Sequence, residues 1–186
     1  MLRPPGRPGA RAAALWQSDG RRSEWSREKG SGVSGTIERR VPSGLGALAS
    51  VLAGVGGPDG ALVFAADPDI RDDWQDVLAQ FREAFEATRQ ALAAGAPVVY
   101  VVDQRDLLGQ RGPGAAMAAT GLLSGARAAA FEMRKAGIPV NVVATEEATP
   151  PAAVAAWVAR LLEPGPGGPT GELVRLGGEH LGKALP

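Results

Sequence analysis

Continuous apolar runs alternate with longer amphipathic segments over most of the chain. The three clearest runs are ALVFAA (61–66), PVVYVV (97–102) and PVNVVA (139–144). Such runs are typical of strands that are buried on both faces of a parallel sheet. Two shorter candidates are TIERRV (36–41), which we expect at a sheet edge, and ELVRL (172–176). The pattern therefore predicts five strands.

Helical segments separate these strands. Asp72 or Asp73 is placed to cap a helix that ends near Gly95, and Pro113 opens a long helix that Gly137 terminates. The predicted helices are 44–55, 73–92, 113–135 and 152–162. Strands that alternate with helices indicate an α/β domain, with an open parallel sheet covered by helices on both faces.

The first 35 residues differ from the rest in composition. They are rich in Arg, Gly, Ser and Pro, and residues 1–40 hold nine Lys or Arg against four Asp or Glu. Such a segment buries too little apolar surface to offset its ordering entropy. We therefore divide the chain into a basic, disordered arm (1–35) and an α/β domain (36–186), and favour a plain extension over a nucleic-acid-binding tail.

Composition narrows the class of protein further. The 186 residues are 45% hydrophobic, enough for one core, and include no cysteine, so disulfides and thiolate metal sites are excluded. No apolar run reaches about 18 residues, and the amino end lacks the apolar segment of a secretory signal. No metal-ligand spacing is recognisable. We therefore expect a cytoplasmic protein without membrane, metal or nucleic-acid partners.

Several motifs recur in the order in which one enzyme family has them. DGALVFAAD (59–67) is similar to a strand ending Asp-x-Leu-Val-Asn-Asn-Ala-Gly. Residues 97–143 are similar to a strand ending in Ser, a helix with Tyr-x-x-x-Lys and a strand ending Val-Asn, and TGELVRLGG (170–178) is similar to the last strand. Between Gly44 and Gly178 the chain thus resembles the short-chain dehydrogenase/reductase family, which implies a Rossmann-like fold.

The resemblance fails at the four positions where that family has its catalytic residues. Aligned without gaps, the Asn, Ser, Tyr and Lys positions are occupied by Gln80, Asp103, Ala115 and Ala119. The family's Tyr protonates the developing alkoxide, and general acid–base help of this kind contributes about 10²–10⁴-fold. Alanine has no ionisable group, and an ionised Asp repels an oxyanion. We therefore assign no catalytic residue.

The part of the family's fold that binds the dinucleotide is largely missing. Only about forty residues precede Gly44, which is too few for a first βαβαβ half. The letters G-x-G-x-x-G occur at Gly30, Gly32 and Gly35, but Pro42 soon ends any helix after them, so we interpret them as a linker. We expect neither a cofactor-binding residue nor a cofactor, with NAD(P) as the cofactor if catalysis survives.

Two features remain as candidates for function. Asp103, Arg105 and Asp106 follow a buried strand, and with Glu146 and Glu147 they form either an acidic binding rim or a solvated loop with a local ion pair.

The small-residue helix 114–134, with the preceding helix, resembles the family's dimer interface. Phe81, Phe85 and Leu92 are its expected contacts, beside Leu123 or Arg127, and a charge at Phe85 or Ala126 is expected to dissociate the dimer. A sheet that lacks its first half is also expected to expose an edge.

The sequence favours a catalytically inactive subunit that supports an active family partner or a homo-oligomer. An NAD(P)-dependent acyl or carbonyl reductase with an atypical active site is the alternative. A small-molecule binding module is the second alternative.

Overall fold

The computed structural model describes residues 35–163 and 168–177. The arm predicted for residues 1–35 lies outside this range except for Gly35, so the division into arm and domain stays a prediction. His180, the single histidine of the sequence, also lies outside the described residues.

The described residues form five strands and five α-helices. The strands are β1 (Glu38–Arg40), β2 (Leu62–Ala65), β3 (Val98–Asp103), β4 (Val140–Thr145) and β5 (Leu173–Arg175). The helices are α1 (Gly46–Leu52), α2 (Trp74–Ala93), α3 (Gln104–Leu107), α4 (Pro113–Met133) and α5 (Pro151–Leu162). Short 3-10 turns precede α1, at Ser43–Leu45, and follow α4, at Arg134–Ala136.

All five strands pair in parallel, in the order β1-β2-β3-β4-β5. Leu62 pairs with Glu38 on one side and with Val98 on the other, and Val98 pairs in turn with Val140. The α/β class and the parallel sheet predicted from the sequence are therefore confirmed. Spatial order follows chain order, so each helix between two strands connects neighbours in the sheet.

The alternation of side chains along each strand divides the core into two clusters. Leu62 and Phe64 face the helices α2 and α4, whereas Val63 and Ala65 face α1 and α5. On the first face, α4 contributes the buried residues Ala119, Leu122, Ala126 and Ala130. Alanines let the backbone of α4 approach the sheet closely, which explains why this helix is rich in small residues.

Local signals set most of the helix ends. The Asp73 side chain accepts a hydrogen bond of 2.7 Å from the backbone N–H of Gln75 and caps α2. Pro113 is the first residue of α4, and Gly137 follows the helix with a left-handed φ of 69°.

The loop interpretation was wrong at Gln104–Leu107, which forms the short helix α3. The Asp103 side chain caps it by accepting a bond of 2.8 Å from Arg105 N–H.

Among the described strands, β1 forms one edge of the sheet, and it is short and charged. Arg40 pairs with Glu38 at 2.6 Å, and the Arg39 guanidinium donates to the carbonyls of Leu52 and Val55 at 2.8 and 2.6 Å. A three-residue edge strand with charged side chains is a poor template for another strand. Within the described range, the edge strand β1 is therefore protected by its length and its charges, and the need for a partner does not follow from it.

None of the helices in the described ranges is long and apolar enough to cross a membrane.

Candidate functional site

The loops that follow β2, β3 and β4 lie at one edge of the sheet, because the carboxyl ends of parallel strands meet there. Open α/β sheets place their ligand crevices at this edge. The loop after β2 spans residues 66–73, the loop after β3 includes α3, and residues 146–150 follow β4. The polar side chains of these loops determine what the carboxyl-terminal end of the sheet can bind.

The structure separates the four family positions into different environments. Ala115 and Ala119 are buried on α4, with exposed fractions of 4% and 1%. Gln80 accepts a hydrogen bond from Asp67 N–H in the loop after β2, whereas Asp103 bonds to Arg105 in α3. The alanines therefore fill core positions, and the polar contacts of Gln80 and Asp103 run to different loops.

An arginine that was not among the candidates from the sequence lies between the loops after β2 and β3, at the carboxyl-terminal end of the sheet. Arg111 donates two hydrogen bonds to the Asp106 carboxylate, at 2.7 and 2.5 Å, and a third to the Pro68 carbonyl at 3.1 Å. Asp106 is buried, with 2% of its surface exposed. Planar, bidentate pairs of this kind are among the strongest hydrogen-bonded ion pairs in proteins.

Next to the Arg111–Asp106 pair, Arg105 connects the carboxylates of Asp103 and Glu147. Its guanidinium lies 2.9 Å from Asp103 Oδ2 and 3.2 Å from Glu147 Oε2, and Arg111 lies 3.7 Å from Asp103. Burial raises the pKa of Asp103, but the hydrogen bonds from Arg105 and the charges of both arginines outweigh it, so the net pKa is lowered. The pKa of Arg105 and that of Arg111 are raised, chiefly by hydrogen bonds to Asp103 and Asp106.

The acidic rim expected from the sequence is thus half neutralised, because two guanidinium groups lie among its four carboxylates. Arg105 and Arg111 pair with Asp103, Asp106 and Glu147, and Gln104 donates a bond of 2.9 Å to Glu146. The sequence correctly grouped these carboxylates, but it overstated their net charge because Arg111 was overlooked. Arg111 follows its main partner Asp106 by only five residues, but its bond to Pro68 spans 43 residues and has no local signal.

A cavity of about 240 Å³ remains beside this network. Five of the six residues that line it have polar side chains, namely Gln104, Arg105, Gln110, Glu146 and Glu147, and the sixth is Ala148. Small-molecule sites usually measure about 300–1,000 Å³, so the cavity is small for an organic ligand and far too small for a dinucleotide. Within residues 35–163 and 168–177, no group of three or more His, Cys, Asp or Glu side chains is arranged to hold a metal ion.

Comparisons of the whole fold identify its architecture. The chain is similar to 3-hydroxyacyl-CoA dehydrogenase type-2 from Mycobacterium avium, with 20% identity and a TM-score of 0.52 over 69% of this chain and 72% of that one. The domain has the short-chain dehydrogenase/reductase fold. The predicted resemblance to this family is therefore confirmed at the level of the fold.

Two further structures support the same conclusion. Acetoin dehydrogenase from Enterobacter cloacae is 22% identical, with a TM-score of 0.51 over 73% of this chain and 68% of that one. ElxO, solved with NADP bound, is 13% identical, with a TM-score of 0.50 over 62% of this chain and 64% of that one. No family model and no curated protein sequence matches the chain.

These likenesses cover 62–73% of this chain and 64–72% of the other chains. The assignment of Gln80, Asp103, Ala115 and Ala119 to the catalytic positions stays a prediction.

Proposed function

We propose that the chain is a non-catalytic subunit with the short-chain dehydrogenase/reductase fold, and that it assembles through helices α2 and α4. The observation that carries the proposal is a set of large apolar side chains exposed on these two helices. They are Trp74 (55% exposed), Phe85 (67%), Met117 (46%) and Phe131 (75%), and we call them the α2–α4 face.

The spacing of these side chains places them on one side of each helix. Trp74 and Phe85 are eleven residues apart on α2, and Met117 and Phe131 are fourteen apart on α4, so each pair is separated by nearly whole turns. The two helices are in contact, because the Phe81 ring packs on Gly121. Exposed clusters of large apolar side chains commonly mark sites of protein association.

The site chemistry supports the non-catalytic part of the proposal. Arg111 bonds to Asp106 and to the Pro68 carbonyl, and it thus occupies the space between the loops after β2 and β3. The positions aligned with the family's catalytic Tyr and Lys hold the buried residues Ala115 and Ala119. Neither alanine can donate or accept a proton through its side chain. We therefore propose that no acid–base pair serves a carbonyl substrate here, and that the protein acts in the cytoplasm through its fold and its surface.

The structure changes which residues are expected at the interface. Ala126 is fully buried against the sheet, so a charge at this position would disrupt the core and would not probe assembly. Leu92 and Leu123 also pack partly against the core of their own domain. Phe85 therefore remains the best residue for testing the α2–α4 face.

Sedimentation velocity of the full chain at micromolar concentration tests the proposal. We expect a dimer, and we expect Phe85→Glu to shift it to a monomer with an unchanged far-UV circular dichroism spectrum. Trp157→Glu is the matched control, because Trp157 is an exposed aromatic residue on α5, at 37% exposure. Dissociation by the control alone would assign the interface to α5 instead.

A monomer under these conditions would exclude self-assembly. The proposal would then require a complex with an active family member, detected as a homologous dehydrogenase that copurifies from the native host in stoichiometric amount. Absence of both complexes would overturn the proposal.

The alternative function is an NAD(P)-dependent acyl or carbonyl reductase, and the similarity of the fold to two dehydrogenases favours it. Cofactor binding by the unmodified chain separates the two functions, because a reductase of this type requires it.

A further inference from the structure

The first strand and the first helix join the sheet by a connection of uncommon hand. Because spatial order follows chain order in the sheet, helices on opposite faces make connections of opposite hand. The helices α2 and α4 cover one face, and α1 and α5 cover the other. Connections between parallel strands are right-handed in about 98% of cases. The consecutive connections through the long helices α2 and α4 take this common form, so the connection β1–α1–β2 takes the rare one.

β1 and α1 are fastened to each other by one side chain. The Arg39 guanidinium donates hydrogen bonds to the carbonyls of Ile37, Leu52 and Val55, at 3.2, 2.8 and 2.6 Å. These acceptors flank β1 and lie at the carboxyl end of α1, so Arg39 ties the strand to the helix. We call residues 37–55 the β1–α1 unit.

Few polar contacts fasten this unit to the rest of the domain. β1 pairs with β2 over three residues, and Arg40 lies 3.6 Å from the exposed Glu83 on α2. A cavity of about 590 Å³ is lined by residues of β1 and of the amino-terminal half of α2. Among the described residues, every side-chain hydrogen bond that the unit makes is internal to it.

The two ends of the unit meet at one glycine-rich segment. Residues 56–60 (GGPDG) connect the unit to β2 and include three glycines. Thr36, directly before the unit, accepts a bond of 2.9 Å from Gly60 N–H and donates its own N–H to Asp59 Oδ1 at 3.0 Å. Because both ends of the unit lie together and glycine has the freest backbone, this segment can act as a hinge.

The strand at the other edge of the described sheet is fastened differently. β5 also has three residues, but the buried Asn141 on β4 donates a bond of 2.8 Å to the Pro169 carbonyl and accepts one of 3.2 Å from Glu172 N–H. The Thr149 hydroxyl donates a bond of 2.9 Å to the Leu176 carbonyl, just beyond β5. Side chains of other elements thus hold the chain on both sides of β5, and the β1–α1 unit has no such clamp.

We propose that the β1–α1 unit is a latch, which opens as one body about residues 56–60 while the other four strands stay folded. The unit buries Ile37, Leu48, Leu52 and Val55, so the open form is a minor state, reached at a lower free energy than global unfolding.

Opening changes the strand at the edge of the sheet. In the closed form this edge is β1, which is short and charged. In the open form it is β2, whose four residues are apolar and are buried while the latch is closed. An apolar edge strand with free backbone groups is a template for pairing with another strand. The latch therefore controls access to this edge, independently of the assembly proposed above.

Native-state hydrogen exchange of the full chain, followed by NMR for single amides, tests the inference. Leu62 N–H bonds to the Pro97 carbonyl on the β3 side, so alternation along the strand directs Val63 N–H to β1. After correction for intrinsic rates, we expect the amides of Val63 and Leu52 to be at least about tenfold less protected than those of Leu62 and Val99. Equal protection of Val63 and Leu62 would overturn the latch.

A disulfide that holds the latch closed is the converse test, because the chain has no cysteine of its own. A Cβ at Gly44, in the turn before α1, would lie 3.0 Å from Asp69 Oδ2 in the loop after β2. In the double variant Gly44→Cys, Asp69→Cys, oxidation should raise the protection of Val63 to that of Leu62, and reduction should reverse this. A disulfide that forms without changing the protection of Val63 would contradict the inference.

The variant Arg39→Met tests whether strand and helix open together. Loss of its bonds should lower the protection of the amides of β1 and α1 about tenfold, with Val99 on β3 unchanged. Arg175→Met is the matched control, because Arg175 is exposed on the opposite edge strand, and it should change these amides less than about twofold. Equal effects of both variants, or loss of protection in β1 alone, would exclude opening as one body.

Discussion

The backbone N–H of Gly114 donates a hydrogen bond of 2.7 Å to Asp72 Oδ1. This bond connects the loop after β2 to the first turn of α4, 42 residues later. The Asp72 carboxylate satisfies a donor that the helix itself leaves free, and its negative charge is favourable at the amino end of the helix. The approach is so close that a Cβ at Gly114 would lie 2.5 Å from the carbonyl oxygen of Arg71.

The first prediction compares two glycines on the same helix. Gly114→Ala should destabilise the domain by about 1–3 kcal/mol, because backbone has to move to accommodate the methyl group. Gly125→Ala should stabilise it by up to about 1 kcal/mol, because a Cβ at Gly125 meets nothing within 4 Å and alanine has the higher helix propensity. Urea unfolding at low protein concentration measures both. Equal effects would show that Gly114 is not confined by Arg71 and Asp72.

Structural features were predictable from the sequence when the residues that cause them lie close together along the chain. Asp73, Pro113 and Gly137 act within a few residues, so the ends of α2 and α4 were predictable. The buried strands were predictable because each is a continuous apolar run.

The contacts of the candidate site span longer distances along the chain. Arg111 reaches Pro68, and Gly114 reaches Asp72, over more than forty residues, and no periodicity reports such pairs. The same limit explains why the exposure of Phe85 and the burial of Ala126 were not separated: both are apolar residues of helices that contact each other, and only the packing of these helices on the sheet distinguishes them.

The second prediction concerns the Arg111–Asp106 pair. Arg111→Met leaves the buried Asp106 carboxylate without its guanidinium, which should cost about 3–5 kcal/mol of the free energy of unfolding. The double change Arg111→Met with Asp106→Leu should recover most of this loss, since replacing both partners removes the unpaired charge. Denaturant unfolding of the three proteins measures the difference.

Arg105→Met is the control for this comparison. The Arg105 side chain is 36% exposed, so loss of its ion pairs should cost less than about 1 kcal/mol. If Arg111→Met were as mild as Arg105→Met, the pair at Asp106 would not be the buried ion pair described above.

The third prediction is a loss of stability in acid that depends on Asp103. The pKa of Asp103 in the folded protein lies below its unfolded value of about 3.9. Its contribution is therefore fully present above that value and is lost as the pH falls through the lower folded pKa. Asp103→Asn keeps an oxygen to cap α3, so it isolates the charge.

We expect this variant to be less stable than the parent by about 1 kcal/mol at pH 7, a difference that should shrink as the pH falls below the unfolded pKa of about 3.9 and through the lower folded pKa. Urea titrations across this range measure it, and a constant difference would contradict the charge interpretation.

The fourth prediction tests whether an open crevice remains at Ala119, the position aligned with the family's catalytic Lys. Ala119 is 1% exposed and belongs to the core between α4 and the sheet. Ala119→Lys should therefore destabilise the domain by about 3 kcal/mol or more, because an ammonium group is buried without a partner. Thr120→Lys, at the exposed neighbouring position, should change stability by less than about 0.5 kcal/mol. Thermal unfolding compares them, and equal tolerance at both positions would reveal an accessible site.

The fifth prediction is that NADH and NADPH bind weakly or not at all. Between β1 and the short helix α1 the chain passes through Pro42 and the 3-10 turn Ser43–Leu45, and it has Gly44 and Gly46 there, without the third glycine of the G-x-G-x-x-G turn that holds a pyrophosphate. A cavity of about 590 Å³ at the ends of β1 and β2 is lined by three arginines and four carboxylates, so its lining has no net positive charge to hold a phosphate. Titration of each nucleotide by fluorescence and calorimetry should show no saturation at micromolar concentration.

The triple change Asp103→Ser, Ala115→Tyr and Ala119→Lys should likewise produce no reductase, both because the cofactor is not held and because two of the positions are buried. Saturable micromolar binding of either nucleotide to the unmodified chain, with turnover of a carbonyl substrate, would establish the reductase and reject the non-catalytic subunit.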